Sequence, residues 1–257
     1  SAQRLMEYII TFLDKNGLVF AFLVTGIIMY FSEVISKTLT RGKIPGSAIS
    51  IFMGLVLAYF AGLETLGKKG MADLPGFAGF ELMGGPMFRD FAIVSTAMGA
   101  SFAIIKKTGP IGIVSLFLGV IISFTVGAII SYALGITDVE SMTTIGAGAC
   151  TFVVGPVTGT ALGASSDIIA ISIAAGVVKS ILVTIGTPLI APYIGLKTPQ
   201  SAMIFGGLMG TTSGTAAGLA ATDPTLVPYG AMTATFYTGL GCLMCPSVLY
   251  FLMRAIL

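Results

Sequence analysis

The chain has 257 residues, of which 55% are hydrophobic and 9% are charged. Soluble domains carry roughly 25% charged residues, so the composition excludes an ordinary soluble domain. The sequence has no His, which excludes a Ser-His-Asp triad, an HExxH zinc site and a haem held by His. The 13 basic residues are spread over loops, and without a basic patch we expect no nucleic-acid binding.

Apolar stretches long enough to cross a lipid bilayer recur along the chain. A span needs about 20 mostly apolar residues, so we predict an all-α integral membrane protein with about eight transmembrane helices. The predicted ranges are 17–37, 45–63, 91–105, 110–134, 142–163, 168–190, 201–221 and 229–253. We further predict a scaffold at 1–134 and a repeated transport unit at 135–257.

Charged loops orient these spans. Basic residues cluster after the first and third spans, at Lys37, Arg41, Lys43, Lys106 and Lys107. If every span crosses, both clusters face one side, which is the cytoplasm by the positive-inside rule. The loop with Asp138 and Glu140 then faces outward.

Several polar or reactive residues have simple explanations. Residues 64–90 are Gly-rich and too polar to span, so we expect an external loop with a short interfacial or re-entrant piece. Glu33 and the Arg89–Asp90 pair lie at span ends, where charges are usually solvated, although Arg89 offers a fork that suits a carboxylate. The three Cys, at Cys150, Cys242 and Cys245, are expected to be packing residues.

A Gly-rich motif occurs twice in the second half. GPVTGTALG at 155–163 is echoed by GTTSGTAAG at 210–218, with six of nine positions matching or nearly matching at a constant offset of 55. The matched residues are Gly155, Thr158, Gly159, Thr160, Ala161 and Gly163 with Gly210, Ser213, Gly214, Thr215, Ala216 and Gly218. Each motif precedes an acid, Asp167 or Asp223, and then an apolar helix. The pattern indicates an internal duplication.

Three Gly and at least two hydroxyl residues in nine positions favour a break in each helix. Close helix packing is the alternative explanation, because small residues also allow helices to approach in membranes. Irregular backbone at membrane depth is tolerated only where it is buried in protein or lines a watery cavity, and paired Gly-interrupted segments are typical of transporter binding sites. Two crossings separate the motifs, so both should run in one direction; a re-entrant segment would make the repeat inverted.

Such breaks supply groups for an anion and for a cation. Half-helix N-termini attract carboxylates, while freed carbonyls and hydroxyls suit an alkali cation. We therefore predict substrate binding by Thr158, Gly159, Thr160, Lys179, Ser213, Gly214 and Thr215. The predicted cation-binding residues are Asp167, Thr160, Thr215 and Asp223. Helix capping is the simpler role for Asp167 and Asp223.

Lys179 lies at the centre of its predicted span. An ammonium there costs about 2.5–3.5 kcal/mol on insertion scales, so it must find an anion. Asp167 is twelve residues away, about 18 Å along a helix, and is not its direct partner. Substrate contact and a salt bridge to another helix or subunit are both open.

The whole chain resembles the M subunit of the two-component malonate:sodium symporter, the MadM family. The resemblance rests on length and on GLVFAFLVTGIIMYFSEVISK, KKTGPIGI and GPVTGTALGASSD. It implies import of malonate driven by co-transported sodium across the bacterial cytoplasmic (inner) membrane, with a small hydrophobic L subunit (MadL-like) as partner and no enzyme activity.

Three other classes remain open. A holin-like or efflux membrane protein predicts leak or export. The membrane subunit of a sodium-translocating decarboxylase predicts copurifying biotin-dependent subunits. A purely structural subunit predicts that replacing Thr160 or Thr215 by Val leaves function intact.

Overall fold

The computed structural model describes residues 2–42, 46–67, 69–83 and 102–257. Over these ranges the chain is helical and contains no strand. It divides into two compact units, Ser1–Met87 and Phe88–Leu257. The predicted span at 91–105 lies mostly outside the described residues, as do Arg89 and Asp90.

The first unit contains three long helices and two short helical turns. Helices α1, α2 and α3 cover Ala2–Lys15, Gly17–Thr38 and Gly46–Thr65; a 3-10 turn at Gly70–Asp73 and the single-turn helix α4 at Gly79–Leu82 follow. The two turns lie in the segment expected to be an external loop. Sequence reasoning did not identify α1, which is amphipathic rather than spanning.

Charges in the first unit pair locally. Glu33 lies 3.2 Å from Lys37 at the exposed end of α2, as expected for a charge at a span end. The Lys69 ammonium donates to both carboxylate oxygens of Glu81, at 2.8 and 2.9 Å. Exposed pairs of this kind contribute little to stability.

The second unit contains helices of unequal length. These are α5 (Phe102–Ala133), α6 (Val139–Cys150), α7 (Val154–Leu162), α8 (Ser166–Ile194), α9 (Pro199–Met209), α10 (Thr212–Thr222), α11 (Val227–Met244) and α12 (Tyr250–Ile256), with a π-helical turn at Cys245–Leu249 joining the last two. Within the described residues, four segments are long and apolar enough to cross a membrane: Gly17–Thr38, Gly109–Ala133, Ser166–Ile194 and Pro224–Ile256.

The predicted spans at 142–163 and 201–221 are each broken. Helices α6 and α7 have 12 and 9 residues, and α9 and α10 have 11 each. At about 1.5 Å per residue, each is well short of a hydrocarbon core about 30 Å thick. Neither range forms the single spanning helix expected from its hydropathy.

Helices α6 and α7 fold back on each other as a first hairpin. A Cβ placed on Gly155 would lie 2.8 Å from the Cα of Gly148, and one on Gly159 would lie 2.7 Å from Cγ2 of Thr144. Contacts that move down one helix as they move up the other define an antiparallel pair. Residues 151–153 form the first tip, and the glycines allow the backbones to approach closely.

Helices α9 and α10 form a second, more open hairpin. Helix α10 runs parallel to α8, because Gly214 packs on Ser180 and Gly218 packs further along, on Val183. Helix α9 starts beyond the end of α8 and runs parallel to α11, since Gly206 packs on Gly230 and Gly210, further along, packs on Tyr237. The chain therefore turns back at residues 210–211, the second tip.

The two hairpins enter the second unit from opposite ends. The first starts just after Asp138, which caps α6 by accepting from the Ser141 N–H at 2.9 Å. The second starts just after Lys197, beyond the end of α8. Helix α12 returns to the first end, because the Tyr250 hydroxyl donates to Glu140 at 2.8 Å. We call these the Asp138 end and the Lys197 end.

Each hairpin is followed by a long helix, and the two hairpin-plus-helix elements have inverted orientations. Their helices start at 139, 154 and 166 in one and at 199, 212 and 227 in the other. These starts are separated by 60, 58 and 61 residues, not by the offset of 55 in the sequence motif. Gly155 accordingly lies inside α7, whereas Gly210 forms part of the second tip.

Candidate functional site

Lys179 lies near the midpoint of α8. We call Lys179, the groups that bond to it and the two tips the tip region. The Lys179 ammonium donates to the Ser123 hydroxyl at 2.8 Å, to the Cys150 carbonyl at 2.9 Å and to the Tyr237 hydroxyl at 3.1 Å. These partners belong to α5, to the last residue of α6 and to α11. One cation thereby joins the first hairpin to two long helices.

Tyr237 connects Lys179 to the second tip. Its side chain is fully buried, and its hydroxyl donates to the Gly119 carbonyl at 3.1 Å. The Lys179 ammonium lies 4.9 Å from the ring centroid. The ring also packs on Gly210, where any Cβ would overlap it and where φ is +62°. Only Gly satisfies both constraints at this position.

Within the described residues, the hydrogen-bond partners of the Lys179 ammonium are all neutral groups. A hydroxyl, a phenol and a carbonyl accept its hydrogen bonds. The two ion pairs found in the described residues both lie in the first unit. The salt bridge considered for Lys179 does not form within the described part of the chain.

The first tip is closed by its own residues. The Thr151 hydroxyl accepts from the N–H groups of Val153 and Val154 at 3.2 and 3.1 Å, which caps the start of α7. Gly176 of α8 lies against the Phe152 backbone, leaving no room for a Cβ.

The second tip has no side-chain hydrogen bond that caps its helix α10. The Thr215 hydroxyl donates to the Gly210 carbonyl at 2.5 Å, and Ser213 shares a hydrogen bond of 3.1 Å with Ser180. Gly214 packs directly on Ser180. Three of the predicted substrate residues, Ser213, Gly214 and Thr215, are thus in the first turn beside this tip.

The matching residues of the first motif lie elsewhere. Thr158, Gly159 and Thr160 are in the second half of α7, on the way from the tip to the Asp138 end. Gly159 packs on Thr144, and the Thr160 hydroxyl donates to the Pro156 carbonyl at 2.8 Å. Thr158 is fully buried and its hydroxyl has no partner. The structure does not bring this group to Lys179.

The two acids lie at opposite ends of the unit. Asp167 is in the first turn of α8, where Ser165 holds the N-cap position. Asp223, after α10, accepts from the Thr225 hydroxyl at 2.7 Å and from the Thr225 N–H at 3.0 Å. The two bonds, the hydroxyl first, lower the pKa of Asp223. The two acids do not form one cation site together.

Sequence reasoning missed four residues of the tip region: Ser123, Cys150, Thr211 and Tyr237. Cys150 acts through its backbone carbonyl, for which no residue type is diagnostic. Ser123 and Tyr237 lie in apolar helices distant in sequence from Lys179. Thr211 lies inside the second motif, and the helix break predicted there is the signal that could have identified it.

Comparisons with known proteins give one result. The family model for the malonate/sodium symporter MadM subunit matches residues 9–257, nearly the whole chain. Searches of curated proteins and of solved structures gave no match.

Proposed function

The chain belongs to the family of the malonate/sodium symporter MadM subunit, and on that premise we propose that it imports malonate together with sodium. It would work as one subunit of a bacterial inner-membrane transporter with a small hydrophobic L-type (MadL-like) partner. The membrane character agrees with the four apolar helices of the described chain.

The observation that carries this proposal is the position of Lys179. A cation with only neutral partners lies at the middle of a spanning helix, and the tips of two inverted hairpins lie next to it. Ionisable residues within membranes usually mark a substrate or ion pathway. Inverted repeats with discontinuous helices place substrate sites near the midplane. We therefore propose that Lys179 binds a carboxylate of malonate, beside Ser213, Gly214 and Thr215.

Sodium coupling follows from the charge of the substrate. Moving a dianion into a negative interior costs about 2.3 kcal/mol per charge per 100 mV. Co-transport of two or more cations offsets that cost. We propose that the hairpins, within the predicted transport unit at 135–257, move relative to the predicted scaffold at 1–134 to expose the site to each side in turn.

The hairpins also suggest an orientation. Helix α8 begins at the Asp138 end and ends at the Lys197 end. Helix α5 ends at the Asp138 end, so it begins its crossing at the Lys197 end. Lys106 and Lys107 precede that crossing. By the positive-inside rule, we propose that the Lys197 end faces the cytoplasm.

The test is uptake by proteoliposomes. The chain, with and without its small partner, is reconstituted and labelled malonate uptake is measured under an inward sodium gradient. We expect saturable uptake that collapses when potassium replaces sodium. If the folded pair takes up no malonate, or does so without regard to sodium, the proposal fails and the efflux and decarboxylase classes gain weight.

Two lysine variants localise the activity. Lys179→Met removes the ammonium beside the tips, and we expect uptake to fall by about tenfold or more, as charged hydrogen bonds contribute about 1.5–3 kcal/mol. Lys197→Met removes an exposed lysine of the same unit and should leave uptake unchanged. Equal uptake by both variants would contradict the assignment of Lys179.

A further inference from the structure

Thr211 at the second tip has an unused hydroxyl. It precedes the first residue of α10 and occupies the N-cap position, but its side chain makes no capping hydrogen bond. The residue is 1% exposed, and its hydroxyl has no hydrogen-bond partner among the described residues. A buried hydroxyl without a partner is costly, and unlike those of Thr143 and Thr158 this one lies at a helix N-terminus.

The backbone explains why the hydroxyl does not cap its own helix. Thr211 has φ +40° and ψ +79°, a left-handed conformation that is strained for a β-branched residue. A capping residue ordinarily has extended backbone angles. At the first tip the hydroxyl of Thr151 does cap α7, so the two tips differ in chemistry although the hairpins share a topology.

The N–H groups at the start of α10 make the second tip rich in hydrogen-bond donors. The first four N–H groups of an α-helix, counted from the N-cap, have no partner within the helix, and in α10 the Thr215 N–H is the first to bond back, to the Thr211 carbonyl at 2.8 Å. The Gly210 carbonyl, the natural ligand for a cation, already accepts from Thr215. Together with the positive end of the helix dipole, this selects an anion.

We propose that the second tip is a carboxylate subsite, in which the Thr211 hydroxyl and the N-terminus of α10 bind one carboxylate of malonate. The assignment rests on the proposed function and deepens it. Tyr237 touches both Gly210 and Lys179, so the second tip and the ammonium contact the same aromatic side chain. A dicarboxylate then has a donor group for each end, whereas at the first tip the N–H groups of Val153 and Val154 already donate to Thr151.

The test is malonate binding to the purified complex of the chain and its partner, at saturating and at limiting sodium. Thr211→Val keeps the β-branched shape but lacks the hydroxyl, and we expect its malonate affinity to fall by about tenfold or more. Thr211→Ser restores the hydroxyl and should restore affinity. Thr222→Val, at the far end of α10, is the matched control and should bind as the wild type does. If Thr211→Val fails to fold, Thr211→Ala removes the hydroxyl with less crowding and is measured instead.

The outcomes separate this subsite from the proposed function. If the wild type binds malonate and Thr211→Val binds it equally well, the subsite is overturned while the proposed function stands. If Thr211→Val changes only the sodium requirement, a cation occupies the tip and the carboxylate assignment is overturned. If the folded wild type binds no malonate, the proposed function fails, and the subsite fails with it.

Discussion

At the scale of single residues, the charge of Lys179 is the feature that the sequence predicts and the structure explains further. A midspan lysine predicts an anion, because neither end of the helix is within reach. The sequence does not reveal its neutral partners, since Ser123 and Tyr237 are 56 and 58 residues away. Which distant groups meet depends on how the hairpins fold, and no local pattern encodes that.

Replacing Lys179 tests whether its charge stabilises the fold or serves only function. A structural ion pair loses about 3–5 kcal/mol when one buried partner is removed. Lys179 has only neutral partners in the described residues, so we expect Lys179→Met to leave the thermal unfolding temperature of the detergent-solubilised protein equal or higher. A clear drop would indicate that the charge stabilises the fold.

Two adjacent threonines test the cost of an unused hydroxyl. Thr143 and Thr144 are both fully buried, but Thr143 has no hydrogen-bond partner whereas Thr144 donates to the Glu140 carbonyl at 2.7 Å. Removing an unpaired buried hydroxyl relieves about 1–3 kcal/mol, and removing a paired one loses about 0.5–1.5 kcal/mol. Thr143→Val should therefore raise the unfolding temperature, and Thr144→Val should lower it. The opposite order would mean that the Thr143 hydroxyl is bound in solution.

At the scale of helices, hydropathy predicted where the apolar segments lie but not which of them cross. The first hairpin covers 139–162 and the second 199–222, and each is as long and nearly as apolar as a span. The second Gly-rich motif begins at a break, at 210–211, whereas the first lies almost wholly inside α7, after the break at 151–153. Whether the chain continues or folds back after a break depends on contacts with α8 and α11, which the motif does not contain.

Gly176 tests how the first tip depends on close packing. A Cβ there would overlap the backbone of Phe152, so Gly176→Ala must displace the tip, and overpacking of this kind costs about 1–3 kcal/mol. Gly186 lies on the same helix, and a Cβ added to it would meet nothing within 4 Å. We expect Gly186→Ala to be neutral or to stabilise by up to about 1 kcal/mol. Thermal unfolding and malonate uptake are measured for both, and similar behaviour of the two variants would contradict the close contact.

At the scale of the whole molecule, the two hairpins change which side each loop faces. With eight crossings, the loop at Thr137 and the loop at Lys197 would face the same side, because two spans separate them. With two re-entrant hairpins only α8 crosses between them, so they face opposite sides. The inverted arrangement also places Lys197 on the side of Lys106, which agrees with the positive-inside rule.

Labelling of single introduced cysteines decides between these topologies. Thr137, Lys197 and Lys106 are exposed, whereas the native Cys150, Cys242 and Cys245 are buried and should react slowly with a membrane-impermeant maleimide. In right-side-out vesicles we expect Thr137→Cys to label, while Lys106→Cys and Lys197→Cys label only after the membrane is permeabilised. If Lys197→Cys instead labels with Thr137→Cys, α8 does not make the only crossing between them. Inverted hairpins could not then deliver both tips to Lys179 from opposite sides, and an account of transport based on those tips would have to be abandoned.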